Sequence, residues 1–303
     1  MLASNKLFIL ITGCSPGGMG AALAIQFHNA GHHVFATARD PSKLLELSKH
    51  GIETLTLDVT SPSSITSAVS SVSSSLPPGK GLNMLINNAG GIYAMPVVDT
   101  SIDAAKNSFD VNFWSQLAIT QAFLPLVLQA VTSKSGPAQA MVVNHSSVLS
   151  EIAFPFMGIY NASKAALGML TQTMRLELDS FGIRVVELKT AGVQTNIISS
   201  SNANACSDGL PDSSIFEPAR KAVEMAMRQE SLLEIGISPE QWATEVAALL
   251  LRRNPPSIIR RGGGSFLFRV AAALPRRFFE GTLKKMTKLD VVEKIIKAGA
   301  SLE

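Results

Sequence analysis

Cysteine is nearly absent from this 303-residue chain: there are two, Cys14 and Cys206, far apart, one of them inside a glycine-rich loop. That excludes a disulfide framework and makes a reducing compartment the default. Charge is sparse too, at 16% of residues against 46% hydrophobic, so a sizeable core is expected and global disorder is not. No window reaches the roughly 18 apolar residues of a membrane-spanning helix. The apolar start Lys6-Leu7-Phe8-Ile9-Leu10-Ile11 is short and runs straight into a glycine turn, unlike a signal peptide. There is no cysteine–histidine cluster to hold a metal. Nucleic acid is an equally poor partner, because the basic residues come without an interleaved aromatic pattern.

The net charge of +3 is unevenly placed. From Arg252 to the end there are 12 Lys/Arg against 4 Asp/Glu, a balance of +8, which leaves −5 for the rest. In this tail Arg252-Arg253, Arg260-Arg261 and Arg276-Arg277 flank an apolar run from Ser265 to Pro275. Such a segment suits an interfacial membrane anchor or an acyl-substrate gate. The plainer expectation is that its apolar face packs on the domain or a second subunit while the arginines stay in water. The expected location is cytoplasmic, with peripheral contact at the ER or lipid-droplet membrane through this tail.

What is present is a strand–helix alternation. Leu7 to Thr12 reads as a buried strand, followed by Gly13-Cys14-Ser15-Pro16-Gly17-Gly18-Met19-Gly20 and the helical run from Ala21 to Phe27. Strand, glycine loop and helix make a phosphate cradle, with the helix N-terminus offering free N–H groups. A tight structural turn is the simpler alternative. The next strand, from His33, ends at Ala38-Arg39-Asp40. The slot where an acid would favour NAD holds Ala38, and Arg39 beside it suits a 2′-phosphate, so NADP(H) is expected. Asp40 can at the same time cap a helix that starts at Pro41.

Further strands are expected over Ile52–Leu57 (closed by Asp58-Val59), Leu82–Ile86 (running into Asn87-Asn88-Ala89-Gly90), Ala140–Asn144 and Ile183–Leu188. Between them Ser61–Leu76, although serine-rich, keeps the apolar stripe Ile65, Ala68, Val69, Val72 and Leu76 of an amphipathic helix. Asp99–Val131 is mostly helical with a polar Asn112 on an apolar face, and Ile159–Phe181 is a long helix. The pattern predicts an α/β fold: a single-domain, Rossmann-type, doubly wound parallel sheet with a C-terminal helical and basic extension. The catalytic domain is placed at 1–256, with a polar substrate lid at about 196–240, and the extension at 257–303. Gly262-Gly263-Gly264 marks a turn.

Tyr160 and Lys164 stand four residues apart, on one face of a helix and one turn from each other. A neighbouring ammonium makes a phenolate cheaper to form, so the phenol can exchange a proton near neutral pH. Thirteen residues earlier Ser147 ends a strand, and that spacing favours it over Ser146, since a shift of one residue flips a strand side chain to the other face. The three together move a proton on or off a carbonyl oxygen. His145 is better explained as a hydrogen-bonded wall residue, and Cys14 as a small loop-packing residue.

These motifs, in this order over about residues 6–198, resemble the short-chain dehydrogenase/reductase family. The resemblance implies that Ser147 holds the substrate carbonyl and Tyr160 is the acid/base. Lys164 would bind the nicotinamide ribose and depress the tyrosine pKa, and Asn112 would hold a relay water. It implies a cofactor set of Gly13, Ser15, Gly18, Met19 and Gly20 in the loop, Arg39, Asp58 and Val59 around the adenosine, Asn88, Ala89 and Gly90, and then Tyr160, Lys164, Val193 and Thr195. Two departures stand out: the glycine loop is one residue longer than the commonest pattern, and Ala191-Gly192, after Lys189-Thr190, replaces the usual Pro-Gly. Both look like a fungal-type subgroup that includes NADPH-dependent 1-acyldihydroxyacetone-phosphate reductase. The implied activity is reduction of a bulky apolar ketone, of lipid or secondary-metabolite type. The alternatives are a repurposed member catalysing a bifunctional or non-redox step with bound NADP(H), and a steroid- or retinoid-type alcohol dehydrogenase. A homodimer or homotetramer is implied. Ile152, Phe154, Phe156, Met157, Ile197 and Ile198 are the expected apolar substrate wall.

Overall fold

A computed structural model describes residues 6–132, 139–196, 209–228, 235–275 and 277–300. Cys206, Ile197, Ile198, Arg276 and much of the expected lid (197–208 and 229–234) lie outside the described residues.

Seven parallel strands form one sheet in the order β3-β2-β1-β4-β5-β6-β7. They are β1 Phe8–Ile11, β2 His33–Ala38, β3 Glu53–Thr56, β4 Met84–Asn87, β5 Ala140–Ser147, β6 Ile183–Thr190 and β7 Ile258–Arg261. In β1 every residue is buried, as expected of a strand covered on both faces. Side chains alternate between two cores. Ile9 and Ile11 join Leu23, Phe27, Trp242 and Val246, from α1 (Met19–Asn29) and α8 (Pro239–Leu250). Phe8 and Leu10 join Val72, Phe123, Val127 and Met174, from α3 (Pro62–Ser75), α5 (Ser115–Thr132) and α6 (Gly158–Asp179). The strand order reverses between β1 and β4, which opens a crevice at the carboxyl ends of the strands.

The serine-rich stretch is the helix its stripe predicts. Ser61 caps it by accepting from the Ser64 amide, Pro62 starts it, and Ile65, Ala68 and Val72 are buried. Ser70, Ser71 and Ser74 return their hydroxyls to carbonyls four residues back, which lets a polar helix face remain regular.

Two features differ from expectation. The sheet does not stop before residue 256: β7 pairs with β6 from Glu187↔Ile258 to Thr190↔Arg261, so the first residues assigned to the appendage are its edge strand. Two of the arginines that suggested a tail, Arg260 and Arg261, are bound to Glu151 and Glu245. The chain from Ile102 to Thr132 has, by length and composition, what a membrane-crossing helix needs, although no such run was expected. It comprises α4 (Ile102–Phe109), a π-turn over Asp110–Trp114 and α5, and Ile119, Phe123 and Val127 bury it against the sheet. The C-terminal helices pack in part on the domain, as the plainer expectation had it. Phe268 of α9 (Ser265–Ala273) and Val292 of α11 (Leu289–Ala300) enter a third core with Leu149, Phe154, Phe156 and Met157, and with Val223 and Met227 of α7 (Arg220–Met227).

Candidate active site

A cleft of about 820 Å³, open to solvent, lies at the carboxyl ends of β4, β5 and β6. β5 delivers Ser147 at its last position, and α6 delivers Tyr160 and Lys164 from its first two turns. Ser147 caps a 3₁₀ turn by accepting from the Leu149 amide at 3.1 Å, which fixes its rotamer. Its hydroxyl donates to the Thr190 carbonyl at 3.5 Å and acts to lower the Tyr160 pKa, whereas Ser146 donates to the carbonyl of Lys164 at 3.2 Å. Both serines line the cleft.

Lys164 donates to the His145 carbonyl at 2.8 Å and sits 5.9 Å over the Tyr160 ring. Burial lowers its pKa to about 8. The tyrosine departs from expectation: burial pushes its pKa up, and the Ser147 hydrogen bond opposes this only in part. The expected depression by Lys164 is not what sets its direction here. A phenol that keeps its proton is suited to act as an acid.

Asn112, in the π-turn, is fully buried. Its Oδ1 accepts from the Gly91 amide at 2.9 Å, and its Nδ2 donates to the Gly91 carbonyl at 2.9 Å and to Ser163 Oγ at 3.2 Å. Both ends of the amide thus hold the Gly90–Gly91 loop against α6, so a positioning task is what the side chain itself performs. A Cβ on Gly90 would lie 3.1 Å from Asn112 Oδ1 and 3.4 Å from Lys164 Nζ.

The glycine loop fits a dinucleotide pyrophosphate. α1 begins at Gly18 without any side-chain cap and without an acid in its first turn, so its leading N–H groups face outward for an anion. Gly13 has φ +72° and its Cα packs so closely on Ala89 that a Cβ would approach Ala89 Cα to 2.8 Å. Thr12 Oγ1 accepts from the amides of Asn88 and Ala89, and Asn88 Nδ2 donates to the carbonyls of Thr12 and Gly13. Cys14 is buried with its thiol pKa pushed up to about 12, which fits packing and not redox sensing. At the far end Arg39 is exposed beyond β2, near Asp58, whose carboxylate accepts from the amide and hydroxyl of Thr60 and is held below its usual pKa chiefly by those bonds. Of the expected set, Met19, Asn88, Gly90, Ser147, Tyr160, Lys164, Val193 and Thr195 line the cleft. Gly13, Ser15, Gly18, Gly20, Arg39, Asp58, Val59, Ala89 and Asn112 lie outside its lining.

His145 is a wall residue, as expected. Asn88 Oδ1 must face it, because the Nδ2 of that amide is committed to the loop, so His145 Nδ1 carries the proton and donates at 2.9 Å. Its Nε2 accepts from Thr190 Oγ1 at 2.6 Å, and its ring stacks on Trp242 at 5.3 Å. Burial, with Lys164 nearby, lowers its pKa to about 3, so it stays neutral at physiological pH.

Sequence reasoning missed two wall residues, Thr190 and above all Phe268, which reaches the cleft from the supposed appendage. The apolar run around Phe268 was the available signal. Phe156 behind the wall adopts φ +62°, a left-handed conformation unusual for a bulky residue, and its carbonyl accepts from the Met95 amide at 2.7 Å. Below the wall, Lys189 is buried with its ammonium 2.5 Å from Glu151 and 3.4 Å from Glu187, and Arg260 also reaches Glu151, at 3.1 Å. Burial raises the Glu151 pKa, but Lys189 and Arg260 outweigh it and hold the carboxylate below its usual range.

The family model described as short chain dehydrogenase matches residues 7–205. A short-chain dehydrogenase/reductase of Pestalotiopsis microspora is 46% identical over 98% of this chain and 99% of its own length. The NADPH-dependent 1-acyldihydroxyacetone phosphate reductase of Schizosaccharomyces pombe is 38% identical over 71% of this chain and 70% of its length. Among solved structures, a short-chain dehydrogenase from Streptomyces avermitilis superimposes with a TM-score of 0.73 at 23% identity, over 97% of this chain and 99% of that one. NADPH-bound carbonyl reductase from chicken fatty liver gives 0.58 at 31% identity, over 64% and 82%. By sequence and by fold alike, the chain belongs to the short-chain dehydrogenase family.

Proposed function

We propose that the protein is an NADPH-dependent reductase of bulky apolar ketones. The observation that carries this reading is the convergence of Ser147, Tyr160 and Lys164 on the wall of one largely apolar cleft. NADPH, when bound, supplies the hydride. A ketone oxygen in this cleft accepts hydrogen bonds from Ser147 and Tyr160, and Tyr160 gives it a proton as charge develops there. The Lys164 ammonium beneath the ring stabilises the phenolate left behind. Asn112 and His145 act as positioning residues: one holds the Gly90–Gly91 loop, the other ties Asn88 to Thr190. Arg39 beyond Ala38 supports the phosphorylated cofactor, in keeping with relatives whose names specify NADPH.

The test is ketone-dependent oxidation of NADPH against NADH. The wild-type chain is expected to prefer NADPH, and Arg39→Asp to lower that preference by roughly tenfold or more. An unchanged ratio would remove Arg39 from the cofactor site. A chain that consumes neither cofactor with any long-chain, polyketide or steroid ketone would sink the reductase reading.

The same reading includes a homodimer. Ile102 and Trp114 on the α4–α5 side, and Met169, Leu176 and Phe181 along α6, are large apolar residues left exposed. Met169 and Leu176 are seven apart and share a helix face. Glutamates at Trp114 and Met169 are expected to yield a monomer in size-exclusion chromatography with light scattering, where the native chain runs as a dimer. A native chain that runs as a monomer would refute this assembly.

A further inference from the structure

We propose that the cleft takes an uncharged ketone and discriminates against a phosphorylated one, a conclusion that rests on the ketoreductase reading and narrows its substrate. The ketone end of the cleft is set by Ser147 and Tyr160. Away from them the wall is apolar: Ile92, Val148, Leu149, Met157, Val193 and Phe268. Among the described lining residues the one cation is Lys164, which lies beneath Tyr160 and already donates to the His145 carbonyl.

The cations around the cleft are committed elsewhere. Lys189 and Arg260 hold Glu151, and Lys189 also faces Glu187. Arg261, beside Thr190 in the sheet, turns to Glu245 at 3.2 Å. Arg220 holds Asp212, Glu217 and Glu224. Arg269 follows Phe268 on α9 but is exposed and off the wall.

The sequence extends the pattern to segments next to the cleft. From Thr190 to Asn196 there is no charged residue, and Asp212 and Glu217, in the described residues that follow, are the acids held by Arg220. Neither Gly81–Ala105 nor Val148–Ser163 contains a basic residue. A phosphate brought here would lose its hydration, with Lys164, already committed to the His145 carbonyl, as the one cation on the described wall. A site that recognises phosphate presents a free Arg or Lys fork or a helix N-terminus, and the helix start that fits an anion here, α1, belongs to the cofactor.

The experiment compares two ligands that differ by the phosphate alone: a long-chain 1-acyl-dihydroxyacetone and its phosphate ester. Each is titrated into the full-length Tyr160→Phe variant loaded with NADPH, and binding is read from nicotinamide fluorescence. The neutral ketone is expected to bind at least about tenfold more tightly. Ile92→Arg, placing a cation on the half-buried rim of the wall, is expected to narrow or reverse that ratio. A phosphate ester that binds as tightly as the neutral ketone, or more tightly, overturns the proposal. A neutral ketone that binds preferentially, yet never drives NADPH oxidation by the wild-type chain, leaves the charge selectivity standing and brings down the ketoreductase reading instead.

Discussion

Tyr160→Phe is expected to lower kcat for ketone reduction by roughly 10²–10⁴-fold, the range assigned to a positioned general acid. NADPH binding is expected to stay within a few-fold of native, because the glycine loop, Arg39 and Lys164 are untouched. The substitution removes one hydroxyl from a half-buried ring, so the fold has little reason to respond. The sign of the pH dependence follows from the same site. A phenol is already protonated at neutral pH and burial pushes its pKa further up, so reduction should be supported through neutral pH. It should decline as pH rises past about 8, where Lys164 loses the charge that stabilises the phenolate. Stopped-flow measurement of NADPH oxidation checks both parts. Full turnover by the variant on a ketone that the native chain reduces would refute the role of Tyr160.

The second large effect lies below the wall. Lys189→Met leaves Glu187 buried without its nearest cation and frees Glu151 from one of its two partners. Removing one member of a buried ion pair typically costs about 3–5 kcal/mol, which for a chain of this size is a fall in Tm on the order of 10 °C. The loss should depend on pH. Burial already raises the Glu187 pKa, ahead of the opposing pull of Lys189, and without Lys189 it rises further. A carboxyl whose folded pKa lies above its unfolded value binds more protons when folded, so stability falls as pH rises through that range. The deficit should therefore be largest at neutral pH and shrink towards about pH 5, closer to the ordinary carboxylate range. Thermal melts of both proteins across this range decide it. A deficit under 1 kcal/mol (about the exposed-pair value), or one that ignores pH, would show that the network is not electrostatically coupled.

Much of the site was legible because its parts are local. Thr12 to Gly20 carries strand, loop and helix start in one run, and Tyr160 with Lys164 needs only helical spacing. Ser147 followed from counting back thirteen residues along the chain. What stayed hidden depends on partners distant in sequence. β7 is four residues long and half arginine, so it looked like basic tail until its register with β6 gave Arg260 and Arg261 their acids. Phe268 could be recognised as apolar but not as wall, since nothing in its own segment says what it faces. The direction of the Tyr160 pKa was misjudged for a related reason: spacing reveals the neighbouring ammonium but not the depth of burial, and burial is the larger influence. The π-turn at Asn112 carries no sequence signature of its own, and its register shows only in the helix.

Phe268 has a consequence for how specificity can drift. The residues proposed to move the proton sit on β5 and α6, while one panel of the cleft hangs from a helix far downstream of Lys164. Changes in α9 alter the room without rewiring the chemistry, so two members of this lineage can share every catalytic residue and still accept different guests. The C-terminal stretch, more than any catalytic motif, is where their repertoires should part.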